Sequence, residues 1–318
     1  MLATVPPVHQ RSDRPPARVV SLLPSATEIL YAIGAGDDVV AVTHECDFPP
    51  EAATRPAVTA SALNHDGSTC AAIDGHIKSA LHAGSSIYRL DEKLLAALEP
   101  SLIVTQELCD VCAVSYDQVS EAVRRMSVDI PVLSLEPSSL ADILNSILAV
   151  GAATDRENAA ANVVRSLRER IAAVDAQPAM NATPRVVCIE WTDPLMVAGH
   201  WVPEMVGRAG GCDILGVASQ PSRWIEWEDV VASEPEVMVL MPCGFGLSAT
   251  VALAPDILRR SGFRDLPCAR SRRVVAVDGS SYFNRPGPRI VDGLELLAAI
   301  VRAQPGEPLP RGAAWIPI

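Results

Sequence analysis

The chain has 318 residues, a formal charge of −12, and 20% charged against 49% hydrophobic residues. Such a length exceeds what one ordinary core organises and points to two lobes, and the composition is that of a globular protein with no stretch near the roughly 20 apolar residues of a membrane span. Basic pairs such as Arg124-Arg125 and Arg272-Arg273 are too sparse to follow a phosphate backbone, which argues against nucleic acid as a partner.

The opening, MLATVPPVHQRSDRPPARVV, carries Pro, Arg and Asp where a secretory leader needs an apolar core of about 7–15 residues. Residues 1–17 therefore read as a disordered tail, and the expected location is cytoplasmic; the alternative is an extracytoplasmic protein whose start has been mis-called. Eight cysteines in a cytoplasmic chain read first as core residues, metal ligands or reactive thiols, and only then as disulfides.

Over 18–137, β-rich runs (ARVVSLL, VVAVTHE, SLIVTQE, IPVLSLEP) alternate with helical ones (ATEILYAIGAG, LDEKLLAALEP), predicting an α/β lobe with a mostly parallel sheet. Residues 138–177 contain no Pro and repeat apolar residues at helical spacing, which predicts one long spine helix with a break near Gly151. The alternation restarts with RVVCIEW and runs through EVMVLMP and RRVVAVDGS to PRIVDGLELLAAIVRA, a second α/β lobe over 184–304 followed by a tail at 305–318. Two lobes with mostly parallel sheets joined by a spine helix leave a cleft between them, and ligands of open α/β sheets collect outside the carboxyl ends of strands.

The loops after those strands hold the candidate residues. Pro24 and Ser25 open a helix and place free backbone N–H groups and a hydroxyl at the lobe edge. The plainer reading is that Ser25 or Thr27 caps the helix and Glu28 complements its N-terminus. His44 and Glu45 end VVAVTHE, and Glu107 ends SLIVTQE. His65 and Asp66 occupy a Gly-containing turn that meets a ligand or stabilises itself, while His76 and His82 read as surface residues. Trp191, His200 and Trp201 offer flat apolar surface and an imidazole to a large ring-shaped ligand; alternatively Trp201 packs under the next helix and His200 caps it. Trp224 and Trp227, beside Glu226 and Glu228, carry the same two readings. Tyr282, Phe283, Asn284 and Arg285 share a loop kept irregular by Pro286 and Pro288, in which Arg285 and Arg289 suit acidic or amide groups, one of them pairing with a lobe carboxylate.

Cys46, Cys109, Cys112 and Cys243 each follow a predicted strand. If those strands aim at one cleft, four thiols converge beside His44, Glu45, Asp47 and Asp110, a soft ligand set for zinc or an iron–sulfur cluster. Buried small residues or a redox pair is the competing reading. Cys70, Cys188, Cys212 and Cys268 read as structural.

The blocks RVVSLLPSATEILYAIGAGDDVVAVTHECDFPPEA, LDEKLLAALEPSLIVT, PVLSLEPSSLADILNSILAVG, MVGRAGGCDIL, WEDVVASEPEVMVLMPCG and SSYFNRPGPRIVDGLELLAAI follow one another over 18–303. Their order and spacing resemble the periplasmic-binding-protein-like family that serves cobalamin and iron-siderophore ABC importers. The resemblance implies a bilobed fold with a rigid helical spine and a corrinoid (cobalamin-like) or related metal chelate held between the lobes. It also implies that Tyr282–Arg285 form the last cleft-facing loop and that, if the chain is exported, lobe-tip acids such as Glu92 and Glu228 dock on an ABC permease. No Walker loop, Rossmann fingerprint, nucleophile elbow or HExxH stands in the chain, which favours capture over turnover. The cysteines depart from the family pattern and keep a second class open: a cytoplasmic metal- or iron–sulfur-binding protein or enzyme.

Overall fold

The apolar runs of the first lobe become strands because β-branched residues fit a pleated surface, and where both faces are covered every residue is apolar or small. In the computed structural model, which describes residues 17–61, 70–75, 88–106, 121 and 130–318, these runs are β1 (Val19–Ser21), β2 (Val39–Ala41), β3 (Thr59–Ser61), β4 (Tyr88–Leu90), β5 (Leu102–Thr105) and β6 (Val132–Ser134). β2, β1, β5 and β6 form a parallel sheet in that order, with Val19 opposite Leu102 and Val104 opposite Leu133, while β3 and β4 pair antiparallel apart from it. All carboxyl ends of the parallel sheet open on one edge.

The second lobe is built on β7 (Arg185–Thr192), β8 (Leu195–Val197), β9 (Cys212–Asp213), β10 (Arg223–Trp224), β11 (Val237–Leu240), β12 (Val274–Val277) and β13 (Ala313–Trp315). β7, β11 and β12 run parallel at the centre; β8 with β10 on one flank and β13 on the other run antiparallel to their neighbours. The expected C-terminal tail is therefore part of the sheet, since Val275 pairs with Trp315 and Ile316 is buried. Trp315 also donates its indole N–H to the Glu307 carbonyl at 2.8 Å, closing the segment on itself.

The predicted spine is two helices, Leu140–Ala153 and Glu157–Asp175. The break falls at 154–156, just after Gly151. Thr154 turns its hydroxyl back to the Val150 carbonyl at 2.8 Å, Asp155 takes a left-handed φ of 54°, and the Arg156 N–H closes on the Gly151 carbonyl at 2.7 Å. That last bond spans six residues, as in a Schellman helix stop. The two helices then form a hairpin, because both ends of the pair reach helix Val202–Arg208: the Leu140 N–H bonds Glu204 at 3.1 Å and Asp175 bonds Arg208 at 2.6 Å. The stripes Leu140, Ile143, Leu144, Ile147 and Ala160, Val164, Leu167, Ile171 join one core with residues of both lobes. At the turn Arg156 also pairs with Asp38 of the first lobe at 3.0 Å. The hairpin is thus tied to both lobes. Among the described residues no helix is long and apolar enough to cross a membrane.

A Cβ at Gly151 would collide with the Ala160 methyl where the two helices touch. Gly151→Ala should therefore lower stability by about 1–3 kcal/mol in urea denaturation, and a compensating Ala160→Gly should recover part of that loss.

Candidate functional site

The first wall of the cleft follows β1. Pro24 begins helix Pro24–Ala32, where its missing N–H costs nothing, and the cap position is Leu23, which makes no side-chain cap. Ser25 and Thr27 are buried and do not cap the helix, contrary to the simpler expectation. The Thr27 hydroxyl instead lies 2.8 Å from Ser21 Oγ and 3.1 Å from Cys46 Sγ.

Glu28 does not complement the helix either. Its buried carboxylate accepts two bonds from Arg289, at 2.9 and 2.6 Å, and lies 3.7 Å from Arg285. Burial raises its pKa above the ordinary carboxylate value, although the bonded Arg289 pulls the other way. Arg285 bonds Asp47 and donates to the Glu45 carbonyl at 3.2 Å, and the Arg289 guanidinium lies 4.0 Å from the Phe48 ring centre. Backbones meet here as well: a Cβ at Gly287 would stand 3.3 Å from the Ser25 carbonyl. Where one of the two arginines was expected to pair with a lobe carboxylate, both are engaged by first-lobe acids, because a buried guanidinium without a carboxylate is costly.

The rest of that loop also departs from expectation. Gly279–Tyr282 is a short helix capped by Asp278, which accepts from the Ser281 N–H at 2.8 Å. Phe283 is 1% exposed and belongs to the core, so it does not face a ligand. Tyr282 packs on Gly312 of the C-terminal segment, and Asn284 Oδ1 is buried without a hydrogen-bond partner among the described residues. Trp201 is buried too, its indole donating to the Phe283 carbonyl at 2.9 Å, and it therefore pins this loop to helix Val202–Arg208. His200 has a left-handed φ of 52°, bonds the Gln220 carbonyl through its N–H at 2.6 Å and makes no helix cap. Burial lowers its imidazole pKa, favouring the neutral ring.

The opposite wall is apolar. Trp191, 8% exposed, meets Phe245 edge-to-face with ring centres 5.8 Å apart, and it packs with Cys70, Ile73 and Leu253 beside Cys243 and Met196. Cys70 and Ile73 belong to the 70–75 segment of the first lobe, so this cluster spans the cleft. The Trp191 indole N–H has no hydrogen-bond partner among the described residues. One residue earlier, Glu190 sits where the β7–β8 register shifts, accepts the Ser222 hydroxyl at 2.5 Å, and has its pKa pushed up to about 7 by desolvation. On the exposed rim, His44 Nδ1 lies 2.8 Å from Thr59 Oγ1, and its Nε2 is 4.0 Å from Glu45.

The cysteine ring does not form among the described residues. Cys46 is 3% exposed, lies 3.1 Å from each of the Thr27 and Thr43 hydroxyls, and has its pKa raised by burial, which keeps the thiol protonated. Cys243 stands in the aromatic wall, apart from it. No group of three His, Cys, Asp or Glu that could hold a metal occurs among the described residues, so zinc and iron–sulfur coordination find no fit there. Cys109, Cys112, Asp110, His65, Asp66 and Glu107 lie outside the described residues, as do His76 and His82. Glu190, Ser222, Phe245 and Phe48 lie in this region without having been singled out for it, and Asp47, expected beside a cysteine site, instead pairs with Arg285. A carboxylate inside the apolar run RVVCIEW was the signal for Glu190, since an acid in a buried strand needs a specific partner.

Two α/β lobes with a cleft at their strand ends, clamped by ion pairs and walled by aromatics, define a ligand-capture protein. The chain belongs to the periplasmic binding protein family, whose model matches residues 19–280, and is a substrate-binding protein of that class, a family that is not one of enzymes. It is similar to the vitamin B12-binding protein of Vibrio parahaemolyticus, 24% identical over 89% of this chain and 88% of that one. Among solved structures it is similar to the periplasmic vitamin B12 binding protein of Vibrio cholerae, with a TM-score of 0.66 and 22% identity over 90% and 97% of the two chains. It is equally similar to a periplasmic heme-binding protein of Roseiflexus, with a TM-score of 0.66 and 24% identity over 90% and 97%. The structural likenesses show the shared fold. The cytoplasmic location expected from the opening residues finds no support in these relatives.

Removing Glu28 leaves the Arg289 guanidinium buried without its carboxylate. Glu28→Ala should lower stability by about 3–5 kcal/mol in urea denaturation, Arg289→Ala should cost a similar amount, and the double variant less than the sum of the two. A pH effect comes from Glu190, whose folded pKa of about 7 exceeds the ordinary 4.5. The folded chain then holds the proton more tightly, so this contribution is full at acid pH and is lost as pH rises through about 7, on the order of 3 kcal/mol in all. Denaturation series from pH 5 to 8 should show the decline flattened in Glu190→Gln.

Proposed function

We propose that this protein captures a corrinoid of the cobalamin type, or a closely related metal chelate, in the cleft between its lobes. The observation that carries the reading is the aromatic wall of Trp191 and Phe245 at the strand ends of the second lobe. In this arrangement Cys70 and Ile73 cover Trp191, and when the lobes part a flat, largely apolar macrocycle gains most from such a surface, which excludes water from its face without needing a charged partner. The names of the vitamin B12-binding relatives support the same ligand class. Pro24, Ser25, His44 and Glu45 are the first-lobe residues proposed to meet the ligand, together with His65, Asp66 and Glu107, which lie outside the described residues. The cobalt travels as part of the cargo; among the described residues no group of three His, Cys, Asp or Glu could hold it.

Capture proceeds by closure of the lobes about the ligand, with the helical hairpin limiting the amplitude and the Glu28, Arg285 and Arg289 cluster holding the closed arrangement. Working outside the cytoplasm, the loaded protein then docks on the permease of an ABC importer. The periplasmic proteins of the same fold support that placement.

Calorimetric titration of the full chain with cyanocobalamin tests the reading. One-to-one binding at micromolar Kd or tighter is expected, and Trp191→Ala should weaken it roughly tenfold or more, as for a buried aromatic anchor. Absence of cyanocobalamin binding to the wild-type chain would sink the proposal.

A further inference from the structure

Glu190 is a half-buried acid that the interlobe clamp does not use. It stands at the carboxyl end of β7, where the pairing with β8 shifts register between Ile189 and Trp191, next to the aromatic wall. One carboxylate oxygen, Oε2, accepts the Ser222 hydroxyl at 2.5 Å, and Ser222 Oγ in turn accepts the Gly199 N–H at 3.1 Å. That second bond occupies a serine lone pair and commits the serine proton to Glu190. The other oxygen, Oε1, has no hydrogen-bond partner among the described residues.

Cations do not offset this acid. Arg285 and Arg289 are bound to Asp47 and Glu28, and Arg260, the arginine beside the end of β7, donates to the Thr192 carbonyl at 2.7 Å and covers the Trp227 ring. Beside Glu190 the Trp191 indole N–H, in a side chain more than nine-tenths buried, has no partner among the described residues. That N–H is covered by the packing of Trp191 on Cys70, Ile73 and Leu253, so the open group at this strand end is the acceptor Glu190 Oε1.

We propose that Glu190 is a specificity-determining residue of the cleft: it accepts an N–H from a side-chain amide of the ligand and rejects a ligand that brings a carboxylate to the same place. The inference rests on the corrinoid reading above and adds to it which member of the tetrapyrrole class is taken. A primary amide supplies an N–H for Glu190 Oε1, the oxygen that Ser222 leaves open. A carboxylate supplies acceptors only; placed against Glu190 in a desolvated site, two carboxyl groups cannot both ionise, and no described arginine is available to balance them. Cobalamin bears amides on its corrin periphery, whereas heme bears propionate carboxylates. The selection therefore falls on the chemistry that divides ligands of one fold, whose solved members are described as binding vitamin B12 or heme.

Calorimetric titration of the full chain with cyanocobalamin, and with the same corrin hydrolysed to its side-chain carboxylic acids, tests this in the wild type, Glu190→Gln and Glu190→Asp. The wild type should prefer the amidated corrinoid. Glu190→Gln should cut that preference by about ten- to a hundredfold, chiefly by gaining affinity for the carboxylic form, because the mismatch it removes is that of a buried polar group left without a partner. Glu190→Asp keeps the charge and should keep the preference. If Glu190→Gln does not fold, Glu190→Ala must show the same loss. An unchanged preference in the neutral variants, with cyanocobalamin still bound, overturns this inference and leaves the corrinoid reading standing. Failure of the wild type to bind either corrinoid overturns both.

Discussion

Glu28 lies on the first helix of one lobe and its partner Arg289 at the start of the last helix of the other, 261 residues apart in the chain. Neither charge is tolerable alone at that depth. A buried carboxylate and a buried guanidinium each lose several kcal/mol of hydration, which is recovered only in a well-made pair with further hydrogen bonds. Arg289 meets the requirement with two bonds to Glu28 and the face of Phe48, and Arg285 with Asp47 and the Glu45 carbonyl. The relative placement of the lobes, and with it the shape of the cleft, is therefore held by a polar cluster whose members are satisfied only when the lobes meet. Gly287 lets the two backbones approach closely enough for this, and Trp201 holds the same loop from behind through the Phe283 carbonyl.

The helical hairpin serves the same arrangement from the other side. Its first helix begins against Glu204, its turn is anchored to Asp38, and its second helix ends against Arg208 and pairs Arg170 with Asp292 and Glu295 on the final helix. Two packed helices resist bending more than one, so the hairpin braces the lobes against one another. A substrate-binding protein needs enough motion to admit its ligand and no more.

Within that frame the two sides of the cleft divide the work. The first lobe contributes hydroxyls, His44 and acids, of which Glu28 and Asp47 are committed to arginines of the second lobe, while the second contributes an aromatic cluster with a half-buried carboxyl next to it in the chain. The cysteines, which drew attention because they follow strands, take no joint role among the described residues. Cys46 is a protonated core thiol under two threonines, and Cys243 is one edge of an apolar wall.

Periodicity and composition alone determined the α/β class, the two lobes and the edge of each sheet on which a ligand must lie, because burial forces strands such as LIVT and VMVL to be almost wholly apolar and helices to carry an apolar stripe. Order and spacing of the blocks over 18–303 carried the family. The hairpin, the β13 strand inside the supposed tail and the fate of individual loop residues were decided by tertiary structure. Phe283 and Trp201 entering the core, and Arg285 and Arg289 meeting Asp47 and Glu28, depend on partners far away in the chain. Local sequence states which groups a loop carries; whether such a group faces a ligand or a neighbour depends on which distant group lies within about 3 Å to satisfy it when water is removed.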